Sequence, residues 1–349
     1  MRDIFFVAEI GCNHNGSVEL AKKMIHEAKR CGATAVKFQT FKADNLVSKN
    51  AEKAEYQKKA TDADESQLDM IKKLELSREE YITLLNEAKE INIDIFSTAF
   101  DLESIDWLGS LGQNTWKIPS GEINNYPYIN KISNLDIPNK HIILSTGMST
   151  INEIDNAVHI IENGIYDKLT ILHCNTEYPT NDVDMNLRVL EIFKKRYPLW
   201  EIGLSDHSSG IVAPLVAIGL GATFIEKHFT LDKNLPGPDH KASITPDELS
   251  RLCEAIKKAT IMLGKREKFV TESEKKNKFI ARKSIVASGK IKKGEYFTIE
   301  NLTCKRPGYG ISPIEWNNII GKIADRDFED DEMITHPEFT WERDKNEKI

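Results

Sequence analysis

Up to Gly264 the chain repeats one local alternation. A short run rich in β-branched and aromatic residues is followed by a longer run whose apolar residues recur at helical spacing. The strand-like runs are Ile4–Glu9, Ala35–Gln39, Ile93–Thr98, Trp116–Ile118, Ile142–Ser145, Leu169–Cys174, Ile202–Leu204 and Thr223–His228. The helical runs between and after them are Val18–Cys31, Arg78–Ile91, Leu102–Leu111, Tyr126–Ile132, Ile151–Glu162, Met185–Lys195, Ile211–Leu220 and Pro246–Leu263. Strictly alternating strands and helices pair as a parallel sheet. Eight such units over ~250 residues are the rhythm of an α/β fold of the (β/α)8 TIM-barrel type. The one interruption is a polar, irregular insert from Lys42 to Leu76, expected to be a loop with one short helix above the second strand.

Beyond Gly264 the alternation stops. Residues 265–283 are basic and poor in strand signals, and read as a linker. Residues 284–349 read as a small β-rich domain, with strands at Ser284–Ala287, Leu302–Lys305 and Met333–His336 and a short helix near Pro313–Ile320. The expected organisation is therefore a TIM barrel over 1–264, a linker over 265–283 and a second domain over 284–349.

The chain has 349 residues and a net charge of −7, which argues against a general nucleic-acid binder, since such proteins carry a basic face. No apolar run approaches the ~20 residues of a membrane span. Glu9 interrupts the N-terminal apolar run too early for a secretory signal. Five scattered cysteines without a CxxC pair read as reduced thiols and argue for a cytoplasmic protein without a disulfide framework.

The chemistry is expected where the strands end, because barrels of this kind carry their active sites on the C-terminal strand ends and the loops after them. Those ends hold Glu9, Lys37, Gln39, Thr98, Lys117, Ser120, Ser145, His173, Ser205, His207 and His228. A lone lysine here can be a Schiff-base nucleophile or an anion clamp. Lys37 and Lys117 together, with the hydroxyls of Thr98, Ser120, Ser145 and Ser205, read as a cradle for a phosphorylated carboxylate. The competing reading is that one lysine merely pairs with Glu9 or Glu122. His207 and His228 follow neighbouring strands, so both rings can reach one point above the barrel axis and suit a divalent ion. The alternative is a pair of hydrogen-bonded core histidines. Ser17 is placed to cap the first helix. His14, His173 and His240 are open between site and structural roles.

Nine segments carry a further signal: AEIGCNHNG (8–16), KFQTFKAD (37–44), KIPSGE (117–122), LSTGM (144–148), HCNTEYPT (173–180), LSDHS (204–208), EKHFT (226–230), GPDHKAS (237–243) and KRPGYGISP (305–313). Together they resemble the bacterial sialic acid synthase family, and the C-terminal segment is similar to its antifreeze-like (SAF) domain. The resemblance implies a transferase that condenses phosphoenolpyruvate with N-acetylmannosamine to N-acetylneuraminate, with C–O cleavage and release of phosphate. It implies phosphoenolpyruvate contacts from Lys37, Thr98, Lys117, Ser120, Ser145 and Ser205, and metal ligation of Mn2+ or Mg2+ by His207 and His228. It implies sugar contacts from Gln39, Glu122, Tyr178 and Asp239. It also implies a domain-swapped homodimer in which Arg306 reaches the other copy's barrel. Glu9 is the expected acid–base group near C2 and C3 of phosphoenolpyruvate. One departure is Thr176, preceded by Asn175, where some relatives carry Asn.

The KFQTF motif occurs in sialic and in legionaminic acid synthases alike. The acceptor expectation therefore rests on KADNLVSKNAEKAEYQ (42–57) and GYGISPIEW, which look like the sialic branch. The alternative acceptor is 2,4-diacetamido-2,4,6-trideoxymannose, as in legionaminic acid synthases. A Schiff-base pyruvate lyase on the same barrel is a more distant rival. A non-catalytic ice-binding role for the C-terminal domain is a rival of another class.

Overall fold

The computed structural model describes residues 4–48, 51–53, 57–58, 61 and 65–339. The chain divides into two units, Met1–Gly264 and Lys265–Ile349. The first unit holds eight parallel strands: β1 (Phe5–Gly11), β2 (Ala35–Thr40), β3 (Asp94–Ala99), β4 (Thr115–Ile118), β5 (His141–Ser145), β6 (Lys168–Cys174), β7 (Glu201–Asp206) and β8 (Phe224–His228). Their order is β3-β2-β1-β8-β7-β6-β5-β4, so the sheet wraps round to bring its first and last members to one seam. At that seam a side chain stands in for the ladder. Gln113, just before β4, accepts from the backbone N–H of Ser97 in β3 at 2.8 Å and donates to the Ser97 carbonyl at 2.9 Å.

The helices form where the apolar periodicity placed them, and their ends have local causes. Val18–Cys31 starts at Ser17, whose hydroxyl accepts from the Leu20 N–H, and stops at the left-handed Gly32. Capping boxes open Arg78–Glu90 (Ser77 with Glu80) and Ile151–Glu162 (Thr150 with Glu153). Further helices are Leu102–Ser110, Tyr126–Ser133, Val189–Arg196, Val212–Gly219 and Pro246–Leu263. The helix expected from Met185 begins only at Val189, after a single 3-10 turn at Asp182–Asp184. The insert after β2 holds two short helices among its described residues, Ala43–Leu46 and Gln67–Lys72, rather than the one expected.

Strand alternation sorts side chains into two cores. Outward residues such as Phe6, Ile10, Phe38, Trp116, Leu144 and Leu204 pack against the helices. Inward residues Val7, Ala35, Phe96, Ile143, Leu172 and Phe224 fill the barrel. Phe224 stacks on Phe5 with ring centroids 5.3 Å apart. The space for it comes from Gly203 on β7, where a Cβ would sit 2.4 Å from the Phe224 carbonyl oxygen and 2.8 Å from its Cβ. One strand step above this apolar plug the inward positions become polar, and there the site begins.

In the second unit, Ser284–Ala287 (β9) and Leu302–Lys305 (β10) pair antiparallel over a small core that includes Ile285, Phe297, Ile319 and Phe328. The strand expected at Met333–His336 is reduced to a single bridge between Met333 and Val286. Within 265–283, read above as a linker, Glu272–Ala281 is helical, opened by a capping box of Thr271 and Glu274. Residues 340–349 of the expected second domain lie outside the described residues. Among the described residues no helix is long and apolar enough to cross a membrane.

Candidate active site

A cavity of about 600 Å³ opens at the C-terminal ends of the barrel strands. Lys37, Thr98, Lys117, Ser120, Ser145 and Ser205 all line it, as do Glu9, Gln39, Tyr178, His207, His228 and Asp239. Of the strand-end and sugar-contact residues named from sequence in this unit, His173 and Glu122 do not. Glu122 points its carboxylate to Asn125 Nδ2 at 2.5 Å and is not part of the lining. Arg306 is an exposed residue of the second unit.

The floor is an ionic cluster. Lys117 Nζ donates to both carboxylate oxygens of Glu226, at 2.7 and 2.9 Å. Ser205 Oγ donates to Glu226 Oε1 at 2.8 Å, and Lys37 Nζ lies 3.6 Å from Oε2. Lys37 also donates to Thr98 Oγ1 at 3.2 Å and sits 3.0 Å from Glu9 Oε2, an ion-pair contact not directed as a hydrogen bond. Gln39 Nε2 donates to Glu9 Oε1 at 3.1 Å. This contact is guarded by Gly11, at positive φ beside a register shift in β1, where a Cβ would lie 2.9 Å from Glu9 Oε1.

Burial opposes every charge here, and the neighbours decide the outcome. Burial pushes the Glu226 carboxyl up, but Lys117 and Lys37 outweigh it and hold the group well below the ordinary carboxylate range. Burial, with the repulsion of Glu226, leaves Glu9 raised despite Lys37. Lys117 is lowered by burial, which Glu226 only partly offsets. Lys37, facing two carboxylates, is raised in spite of its burial. Two carboxylates in one cluster are thus held on opposite sides of their ordinary range, an arrangement typical of acid–base sites.

The expectation that a lysine pairs with Glu9 is realised by Lys37, while Glu122 pairs with neither lysine. Glu226 was not singled out from sequence, although it holds the cluster together. It lies one residue before the Lys227-His228 pair, inside a run that reads as an ordinary buried strand. Only an inward-facing count along β8 (Phe224, Glu226, His228) would have flagged it.

His207 and His228 meet above the floor with ring centroids 5.3 Å apart. The backbone carbonyl of Asn175 accepts from His207 Nδ1, which leaves Nε2 as the free lone pair. His228 Nδ1 is buried without a hydrogen-bond partner, 3.8 Å from Asp239 Oδ2. Burial raises the Asp239 carboxyl to about 6. An imidazole oriented through its other nitrogen, beside an orphaned ring nitrogen, fits a divalent ion held by two rings with open positions. Among the described residues no group of three or more His, Cys, Asp or Glu side chains is arranged for an ion, so solvent or substrate oxygens would complete such a shell.

On the outward face of β7 and β8, Lys227 Nζ donates to Asp206 Oδ2 at 2.6 Å and to the Ser208 carbonyl at 2.7 Å, tying the turn that carries His207 to β8. Ser145 Oγ and Asn175 Oδ1 are also buried and unpartnered. Such atoms are rare in folded proteins, and their clustering here marks a place built for a polar ligand. The other histidines are structural: His14 Nδ1 accepts from the Gly16 N–H, His173 Nε2 donates to the Met185 carbonyl, and His240 bonds Thr230 and Asn15. Thr176 lines the cavity, and Asn175 donates to the Asp184 carbonyl at 3.0 Å.

Comparison with known proteins gives a consistent picture. A model of the NeuB family matches residues 24–268, and a model of the SAF domain matches residues 282–340. The chain is 49% identical over 336 residues to an N,N'-diacetyllegionaminic acid synthase of Campylobacter jejuni, covering 96% of this chain and 99% of that protein. It is 44% identical over 321 residues to an N,N'-diacetyllegionaminic acid synthase of Legionella pneumophila, covering 91% and 89%. Among solved structures it is similar to an N-acetylneuraminic acid (sialic acid) synthetase from Leptospira borgpetersenii, with TM-score 0.70 and 33% identity, covering 79% of this chain and 90% of that one.

Proposed function

The chain belongs to the NeuB family and carries a SAF domain, and we propose that it condenses phosphoenolpyruvate with 2,4-diacetamido-2,4,6-trideoxymannose, releasing phosphate and N,N'-diacetyllegionaminic acid. The observation that carries the acceptor is the 49% identity, over nearly the full length of both chains, to a protein named for that product. The sialic acid synthetase of known structure is more distant, at 33%. N-acetylmannosamine, the acceptor expected from sequence, therefore gives way to the alternative. The run 42–57 on which that expectation leaned lies partly outside the described residues, at 49–50 and 54–56. Names ending in synthase favour condensation over the Schiff-base lyase.

In this reading Lys37 and Lys117 bind the phosphate and carboxylate of phosphoenolpyruvate, and the hydroxyls of Thr98, Ser120, Ser145 and Ser205 orient them. Held there, C3 of the enol attacks the acceptor's aldehyde carbon while C2 takes on cationic character beside Glu226. Water adds at C2, and Glu9, whose burial makes it a stronger base, takes one proton from that water and returns it to the new alkoxide, while the second proton passes to the departing phosphate as the C2 hydroxyl becomes the ketone. Phosphate leaves with the bridging oxygen. Gln39, Tyr178 and Asp239 contact the sugar. His207 and His228 would hold a divalent ion, and two imidazoles suit Mn2+ better than Mg2+. When bound, such an ion supplies Lewis-acid polarisation of the acceptor's carbonyl oxygen. We extend the proposal to a homodimer in which Arg306 serves the other copy's barrel, and to a cytoplasmic location. The test is mass spectrometry of products and kcat/KM from phosphoenolpyruvate with a panel of hexosamines. The diacetamido sugar is expected to lead, and a higher kcat/KM for N-acetylmannosamine overturns the proposal.

A further inference from the structure

The cavity changes character with height. Along β2 the inward positions run Ala35 in the barrel plug, Lys37 and Gln39 on the floor, then Phe41 just past the strand. Along β3 they run Phe96, Thr98 and Phe100. The parallel pairing continues beyond both strands, because the Phe100 N–H donates to the Thr40 carbonyl at 3.0 Å. Phe41 and Phe100 thus stand side by side, edge to face, with centroids 6.4 Å apart. At ~3.3 Å per residue they lie about 13 Å along the strands from Lys37.

The insert after β2 completes this layer. Leu46, Met70 and Leu74 line the same cavity as the two rings, and Ser48, Gln57 and Gln67 of the insert line it too. The insert is stapled at its base. Glu75 accepts from Lys42 Nζ at 2.8 Å and from the Ala43 N–H at 3.0 Å. Asp101 accepts from the Lys42 N–H at 3.1 Å. The result is an anchored rim with an apolar stretch formed by Phe41, Phe100, Leu46, Met70 and Leu74, above a charged floor.

Chemistry orients the acceptor between them. The anionic groups of phosphoenolpyruvate belong on the lysines, so the reacting carbonyl of the sugar must face down toward the floor. Its far end, carbons 4 to 6, then faces the rim. We infer that Phe41, Phe100, Leu46, Met70 and Leu74 are the specificity wall of this enzyme, selecting an acceptor that carries methyl groups at its remote end, a 6-deoxy carbon and an acylated 4-amine. The inference rests on the acceptor class proposed above. A 6-hydroxyl pressed against these five apolar side chains loses water without gaining a partner from any of them, whereas a methyl group is accommodated.

Met70→Gln keeps the length of the side chain and makes it polar. Phe100→Tyr, at a half-buried position, keeps the ring and adds a hydroxyl, so it serves as the second variant should the first fail to fold. The experiment measures kcat/KM for both sugars, the KM for phosphoenolpyruvate and the melting temperature in each protein. The preference for the diacetamido sugar over N-acetylmannosamine is expected to fall about tenfold or more, through a higher KM for the former. The KM for phosphoenolpyruvate should stay within about twofold, because the floor is untouched. A folded variant whose preference is unchanged, or which loses both sugars equally, overturns the wall. Turnover of neither sugar by the unaltered protein refutes the acceptor class itself, a failure distinct from that of the wall.

Discussion

Glu226→Gln removes one charge from the floor while keeping its shape. In the native arrangement the carboxylate accepts from Lys117 at 2.7 and 2.9 Å and from Ser205 at 2.8 Å, faces Lys37 at 3.6 Å, and is only 3% exposed. Taking one partner out of a buried ionic cluster costs about 3–5 kcal/mol. Glutamine retains one oxygen for Lys117, so the lower end, about 3 kcal/mol, is expected, a factor of roughly 100 in the unfolding equilibrium. The pH dependence has a definite sign. Burial works against the Glu226 anion, but Lys117 and Lys37 hold its folded pKa well below the ordinary value of 4.5. Its contribution is therefore fully present above that value and is lost as pH falls toward the folded one, so the gap between the two proteins should narrow in acid.

The variant floor also has one more net positive charge. Inorganic phosphate should partly replace the missing carboxylate, restoring about 2.7 kcal/mol at a concentration a hundred times its Kd. Hydrogen exchange of amides in β4, β7 and β8 reads the opening of the barrel unit by itself. A loss under about 1 kcal/mol at neutral pH, or a gap that stays flat into acid, would refute the matched-charge reasoning.

Chelation with EDTA should abolish activity and Mn2+ restore it, and His207→Ala or His228→Ala should lose bound Mn2+ by elemental analysis with circular dichroism unchanged. Full turnover in metal-free buffer contradicts this. With ¹⁸O in the bridging position of phosphoenolpyruvate, label is expected in inorganic phosphate, and label retained in the keto acid would mean that the phosphorus–oxygen bond broke. Arg306→Ala and Glu9→Gln chains should each be inactive alone yet regain activity when co-expressed, because a mixed dimer then holds one intact site. No recovery in proven heterodimers excludes a shared site.

Local patterning made most of the scaffold legible. Val18–Cys31, Ile151–Glu162 and Pro246–Leu263 begin and end where their apolar stripes and flanking residues place them. Lys37, Thr98, Lys117 and Ser205 were visible for a related reason: a strand in a barrel must end at the face where chemistry occurs, so polar groups at successive strand ends stand out. The helix at Glu272–Ala281 was also written locally, in the Thr271–Glu274 capping box, but its many charges disguised it as a linker. Glu122 sits in a motif beside Ser120, yet one 3-10 turn directs it to Asn125 and away from the cavity.

What the chain determined by itself is the succession of elements, because hydrogen-bonded turns and apolar periodicity depend on residues a few positions apart. What tertiary structure decided is which charges meet. Lys117 and Glu226 are 109 residues apart and become partners only when β4 and β8 enclose the same barrel interior. The rim is likewise a product of closure. Met70 and Leu74 look like any amphipathic helix and its exit, and the stapling of Glu75 to Lys42 and Ala43, with Lys72 paired to Asp44, anchors them at the cavity that Phe41 and Phe100 also line. The physical reason is range. Backbone conformation is set by near neighbours, whereas desolvation and Coulomb energy act on whatever the fold brings within a few ångströms, regardless of separation along the chain.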